Sequence, residues 1–146
     1  RDVERSRGLG DVYKRQLQEN GYQYLLDWCH DDQPTWMKTC EGEILSIPYP
    51  QELNDIPSIM VRKNSAEQFA KIITDNFDEM LEQSRQQPLV MGIALHAYIV
   101  GQPFRLKHLR NALLHISRKR EDIWFATAGQ IAAHIRTINI RTPNVL

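Results

Sequence analysis

Residues 88–104 read PLVMGIALHAYIVGQPF, and this run constrains the fold more than any other in the chain. Residues 89–95 are apolar, follow a proline and lead to His96. Side chains alternate faces along a strand, so Met91, Ile93 and Leu95 share one face while Gly92, Ala94 and His96 share the other. The run predicts a buried strand over 89–95, bulky on one side and small on the other until the histidine arrives. A Gly101-Gln102-Pro103 turn follows, and a helix is expected from about Phe104. Helical patterns lie on both sides in sequence, which favours a parallel α/β sheet or barrel. In such folds the chemistry gathers at the carboxyl ends of the strands, where His96 would stand.

Size and charge narrow the class. A chain of 146 residues is long enough for one core. Lysine plus arginine total 18, and so do aspartate plus glutamate. With no net field, nucleic acid and anionic membrane surfaces are not expected partners. Cys29 and Cys40 are too far apart for a Cys-x-x-Cys site and do not make a disulfide framework, which points to free thiols in a reducing compartment. No apolar run approaches the ~20 residues of a membrane span, and no signal-peptide core is visible. A soluble, cytoplasmic protein is the expectation.

Residues 1–16, RDVERSRGLGDVYKRQ, are charge-rich, lack a sustained apolar period and do not begin with methionine. The string SRGLGDVYKRQ resembles a translated adapter artefact of chains assembled from environmental DNA, so a disordered, non-native segment is expected to Gln16. A barrel domain is then expected over residues 17–140, and a frayed tail over 141–146.

From residue 17 the pattern can be followed in order. Residues 22–28, YQYLLDW, suit a buried strand ending at Asp27, with the polar loop Cys29-His30-Asp31-Asp32-Gln33-Pro34 after it. Residues 43–49, EILSIPY, form a second strand, held to a sheet edge by Pro48 and Pro50. A long connection runs through Asn54, Asp55 and Pro57. Ser65 then caps a helix, with Gln68 in the capping-box position. Phe69, Ile72, Ile73, Phe77, Met80 and Leu81 give that helix its apolar face, and Pro88 stops it. Leu106, Leu109, Ala112, Leu113 and Ile116 mark the next helix. Residues 123–127, IWFAT, read as a further strand, and residues 127–138 as a last helix. Strands alternating with helices over about half of the ~250 residues that a (β/α) barrel needs predict part of such a barrel.

These residues carry a resemblance. The segment YLLDWCHDDQPTW, residues 24–36, resembles the one that polysaccharide-deacetylase-fold hydrolases place after a late barrel strand. It is most similar to the branch with the metal-independent allantoinases and other cyclic-amide hydrolases. The segment ALHAYIVGQPFRL is similar to that branch's Leu-x-His motif, with its Gly-x-Pro turn and arginine. Pro48-Tyr49 and Asn54-Asp55 also fall where the branch has such pairs. Thr35 stands where an aromatic is common and Tyr98 where an arginine is, and those departures bear on the substrate.

The resemblance implies the carboxyl-terminal half of a distorted deacetylase-type (β/α) barrel. It implies hydrolysis of a non-peptide amide C–N bond, in an N-acetyl sugar or in a cyclic amide or imide such as allantoin. It casts His96 as the acid that protonates the leaving nitrogen, a task suited to an imidazole with its ordinary pKa of ~6.5. Asp27 matches the motif aspartate that orients a neighbouring catalytic group. Asp31, Asp32, Gln33 and Trp36 would line the mouth and meet the substrate. The metal ligands and the base of the deacetylases come from the other half, so no metal is expected in this part. A zinc-type ion is expected only in a complete, metal-dependent relative. The expected partners are a small-molecule or sugar substrate, the missing half-barrel and a second copy of the chain; this part alone is expected to be inactive.

Plainer roles stand beside these. His96 could be a core histidine satisfied by a carbonyl, Asp27 a loop cap, and Asp31-Asp32 a solvated turn before a proline. A zinc site from Cys29, His30 and Cys40 lacks a fourth ligand. Trp28, Trp36 and Trp124 suit core filling as well as sugar stacking. A catalytically silent structural or carbohydrate-binding domain is the alternative function.

Overall fold

A computed structural model of the chain describes residues 9–29, 31–39 and 42–138. The polypeptide divides into two compact units. Of the described residues, the first takes 9–28, 34–39, 42–47 and 126–138, and the second takes 29, 31–33 and 48–125.

The first unit contains helix α1 (Leu9–Glu19), strands β1 (Tyr24–Leu25), β2 (Thr35–Thr39) and β3 (Gly42–Ser46), and helix α5 (Ala128–Ile138). Among the described residues its strands form one sheet in the order β1-β3-β2. β2 and β3 are an antiparallel hairpin, with Trp36 opposite Leu45 and Met37 opposite Ile44. β1 runs parallel to β3, and the ladder is extended by the Ile47 N–H donating to the Leu25 carbonyl. Leu25, Ile44, Leu45, Ile47 and Ala132 are buried. Arg136 of α5 donates to the Gln23 carbonyl at 2.7 Å, and its guanidinium lies 5.9 Å from the centre of the Trp36 ring.

The second unit holds a π-helix (Ile56–Val61), helix α2 (Ala66–Gln83), the short α3 (Ala97–Val100) and α4 (Pro103–Ser117). α2 starts where its sequence says it should. The Ser65 hydroxyl accepts from the Gln68 N–H, and the Gln68 side chain accepts from the Ser65 N–H. Phe69, Ile73 and Phe77 of α2 pack with Leu109, Ala112 and Ile116 of α4, and with Leu53, Ile59, Ile99 and Val100. Pro103 opens α4, a position where its missing N–H costs nothing.

Several expectations need correction. The strand expected over 89–95 does not form a ladder. It carries one parallel bridge, Asn54 to Ala94, made by Ala94 N–H to the Leu53 carbonyl and Asp55 N–H to the Ala94 carbonyl. Prolines limit the pairing: Gly92 packs against Pro50, which has no N–H to give. The expected strand over 22–28 shrinks to two residues, and the one over 43–49 stops at Ser46, two residues short of Pro48. Residues 123–127 make no strand, and Trp124 and Phe125 are 58% and 60% exposed. β2 was not expected at all. Disorder was expected to Gln16, yet the chain is helical from Leu9. The last segment, 139–146, lies outside the described residues, as do His30 and Cys40.

Candidate active site

His96 is the N-cap residue of α3, with extended backbone angles (φ −114°, ψ 121°). The single bridge at Ala94 fixes the approach to it, two residues upstream, against residues 53–55. That juxtaposition brings Asp55 under the histidine. The fully buried Asp55 carboxylate accepts the His96 backbone N–H at Oδ2, 2.7 Å, and faces Nδ1 of the ring at Oδ1, also 2.7 Å. A carboxylate oxygen at this distance accepts, so the ring carries a proton at Nδ1. Nε2 is left as the exchangeable position. The His96 side chain is 34% exposed, enough for a ligand to reach it.

The aspartate is itself held. Its neighbour Asn54 accepts the Ile56 N–H through Oδ1 and donates to the Tyr49 hydroxyl. This turns the 49–56 segment into a braced loop at the start of the π-helix. The partner of His96 is therefore Asp55, a residue that the sequence showed only as half of an Asn-Asp pair.

The other expected site residues divide between the two units. In the second unit, Asp32 and Gln33 are sewn to residues 88–90. Val90 N–H donates to the Asp32 carbonyl and the Gln33 amide donates to the Pro88 carbonyl. Asp31 accepts the Asp32 N–H at 2.7 Å. Asp31 and Asp32 line a cleft of about 510 Å³ together with Tyr49, Glu52, Asn76 and Gly92. Burial, then Asp31, then Glu52 push the Asp32 carboxyl above its ordinary range. His96 and Asp55 are not in the lining of this cleft, so the cleft and the His–Asp pair are separate features of the unit. In the first unit, Asp27 takes a hydrogen bond from the Tyr13 hydroxyl, which raises the tyrosine above its usual range. Trp36 is half-buried on β2 beneath Arg136.

Among the described residues no group of three or more His, Cys, Asp or Glu side chains comes together as a metal site. The metal that the resemblance implies for a complete relative finds no donor set among the described residues. Nor is any described helix long and apolar enough to cross a membrane.

No protein-family model matches the sequence, and no curated protein does. Solved structures do match. A probable polysaccharide deacetylase from Pseudomonas aeruginosa PAO1 aligns over 87% of this chain at 29% identity, with a TM-score of 0.76. The Puue allantoinase aligns over 87% at 26% identity, with a TM-score of 0.78. The fold is that of part of a polysaccharide deacetylase-type barrel. A Mycobacterium smegmatis protein assigned as a polysaccharide deacetylase shares the fold at 23% identity and a TM-score of 0.69. The chain covers 43% of the length of each of the first two proteins and 46% of the third. It accounts for less than half of such a barrel.

Proposed function

We propose that this chain supplies the proton-transfer pair of a hydrolase that opens a non-peptide amide C–N bond. The observation that carries the reading is the two-point grip of Asp55 on His96, in a chain that resembles both a deacetylase and an allantoinase. Both of those activities expel nitrogen from an acyl carbon. An amine leaves a tetrahedral intermediate only if it is protonated as the bond breaks, and a positioned imidazole does this.

In this reading Nε2 of His96 carries the proton to the departing nitrogen. Asp55 holds the ring at Nδ1, fixes its tautomer and offsets the imidazolium charge before transfer. Proton transfer of this kind contributes roughly 10²–10⁴-fold to rate. Asp31 and Asp32, in a cleft that His96 does not line, offer acceptors to parts of the substrate away from the reacting bond, and Asp27 and Trp36 contribute in the whole protein. Water attack is assigned to groups in the remainder of the barrel. The substrate is an N-acetyl sugar or a cyclic amide, and this part alone is inactive.

The test is turnover by the whole protein that contains this chain. Acetate release from N-acetylglucosamine oligomers and loss of allantoin are followed in parallel. His96→Ala is expected to lower kcat by about 10²-fold or more with little change in KM. A loss confined to KM would leave His96 a binding role only. Sugar binding without turnover would mark a silent carbohydrate-binding domain instead.

A further inference from the structure

The ring of Tyr98 meets the ring of His96 edge-on, with centroids 5.6 Å apart and planes at 67°. Tyr98 lies in the first turn of α3, two residues past the histidine that caps it, so backbone geometry fixes the pair. Tyr98 is nevertheless 65% exposed. Exposed aromatics scattered singly are ordinary. This one differs because an edge contact to the proton-transfer residue pins it and leaves a ring face open to solvent.

Local charge says what that face can receive. Among the described residues, the charged group bonded to His96 is the Asp55 carboxylate. The nearest cation in sequence, Arg105, donates to the Ile99 carbonyl at 3.3 Å and rests its guanidinium 5.1 Å from the centre of the Phe104 ring. A substrate carboxylate or phosphate arriving at His96 would therefore meet an ion pair without net charge, while the Arg105 guanidinium is turned to Phe104 and the Ile99 carbonyl. An uncharged ring meets an aromatic face and a phenol, against which apolar C–H or planar amide surface packs.

Resting on the hydrolase reading, we infer that Tyr98 is a specificity-determining residue. It forms the wall against which an uncharged ring bearing an amide N–H lies beside Nε2 of His96. Two sources share that chemistry, a pyranose with an N-acetyl group and a planar cyclic imide.

The experiment is a titration of the whole protein that contains this chain, followed through the His96 ring proton signals by NMR. The probes are N-acetylglucosamine, hydantoin and the anionic hydantoin-5-acetate. Both neutral probes, or one of them, should shift the His96 signals, and whichever does so names the source. The anion should bind more weakly. Tyr98→Ala should weaken the neutral probe about tenfold, Tyr98→Phe should keep most of the affinity, and Tyr98→Arg should reverse the preference towards the anion. An unchanged dissociation constant in Tyr98→Ala overturns the inference, as does a wild-type protein that binds no neutral probe or prefers the anion. These outcomes are separate from the hydrolase test, because a failure of His96→Ala to affect turnover leaves the difference between Tyr98→Ala and Tyr98→Phe standing.

Discussion

Asp55 holds His96 at two points, the backbone N–H and Nδ1, each at 2.7 Å, from a carboxylate with no solvent exposure. Removing it breaks both bonds. Asp55→Ala leaves a backbone donor without its acceptor, a loss of about 1–3 kcal/mol in stability. Asp55→Asn preserves shape but presents an amide N–H or O to the ring, which disturbs the tautomer. Urea unfolding should therefore show a larger loss for Asp55→Ala than for Asp55→Asn. In the whole protein both variants should lose kcat by 10²-fold or more. Full activity in Asp55→Asn would remove the aspartate from the mechanism.

Asp32 gives a pH dependence of known sign. Its folded-state pKa is raised, first by burial and then by Asp31 and Glu52. A raised carboxyl favours the folded state below the ordinary carboxylate range and opposes it once the group ionises. Asp32→Asn should thus raise the melting temperature at pH 7 and lose that advantage as the pH falls below the ordinary range. A variant less stable than wild type at neutral pH would contradict this sign.

Ser65 and Gln68 close both bonds of a capping box at the start of α2. Ser65→Ala should cost about 1 kcal/mol, or roughly 2–4 °C in melting temperature for a chain of this size. Ser65→Asp should recover most of it, since aspartate caps equally well. Circular dichroism melts of the three proteins decide the matter.

Gly101 joins α3 to α4, with backbone angles that any residue adopts (φ −73°, ψ −8°). On entropy alone an alanine there would stabilise by about 0.4–1 kcal/mol. A Cβ would instead run into the carbonyl oxygen of Ala97, which accepts the Gly101 N–H. Overpacking costs about 1–3 kcal/mol, so it should win. Gly101→Ala is expected to destabilise the chain and to shift the His96 NMR signals, since α3 carries both features.

Whereas α1 and the short α3 were not expected, helices α2, α4 and α5 were the legible part of the sequence. Their apolar period, the capping box at Ser65 and the proline at the head of α4 are local signals, and local signals survive in any context. The strands were less legible because a strand is defined by its neighbour. Residues 89–95 and 123–127 have strand composition but little or nothing to pair with among the described residues. β2 was hidden by the polar run before Pro34, which reads as loop to the end. His96 stood out as a histidine closing an apolar run. Asp55 did not, because nothing local distinguishes a buried carboxylate from the many that serve solvated turns. Only the long-range bridge between Asn54 and Ala94 brings it to the ring.

That bridge also sets an order of events. Asp55 and His96 are 41 residues apart, and the loop between them contains the whole of α2. Closing a loop of that length costs on the order of 3 kcal/mol in chain entropy beyond a constant term. The pair cannot repay it alone, so the packing of α2 against α4 has to come first. As the chain leaves the ribosome, the aspartate waits in water until the histidine arrives, and α4 emerges only after both. The His96–Asp55 pair is thus a late product of folding, and its NMR signature would report that the second unit has finished assembling.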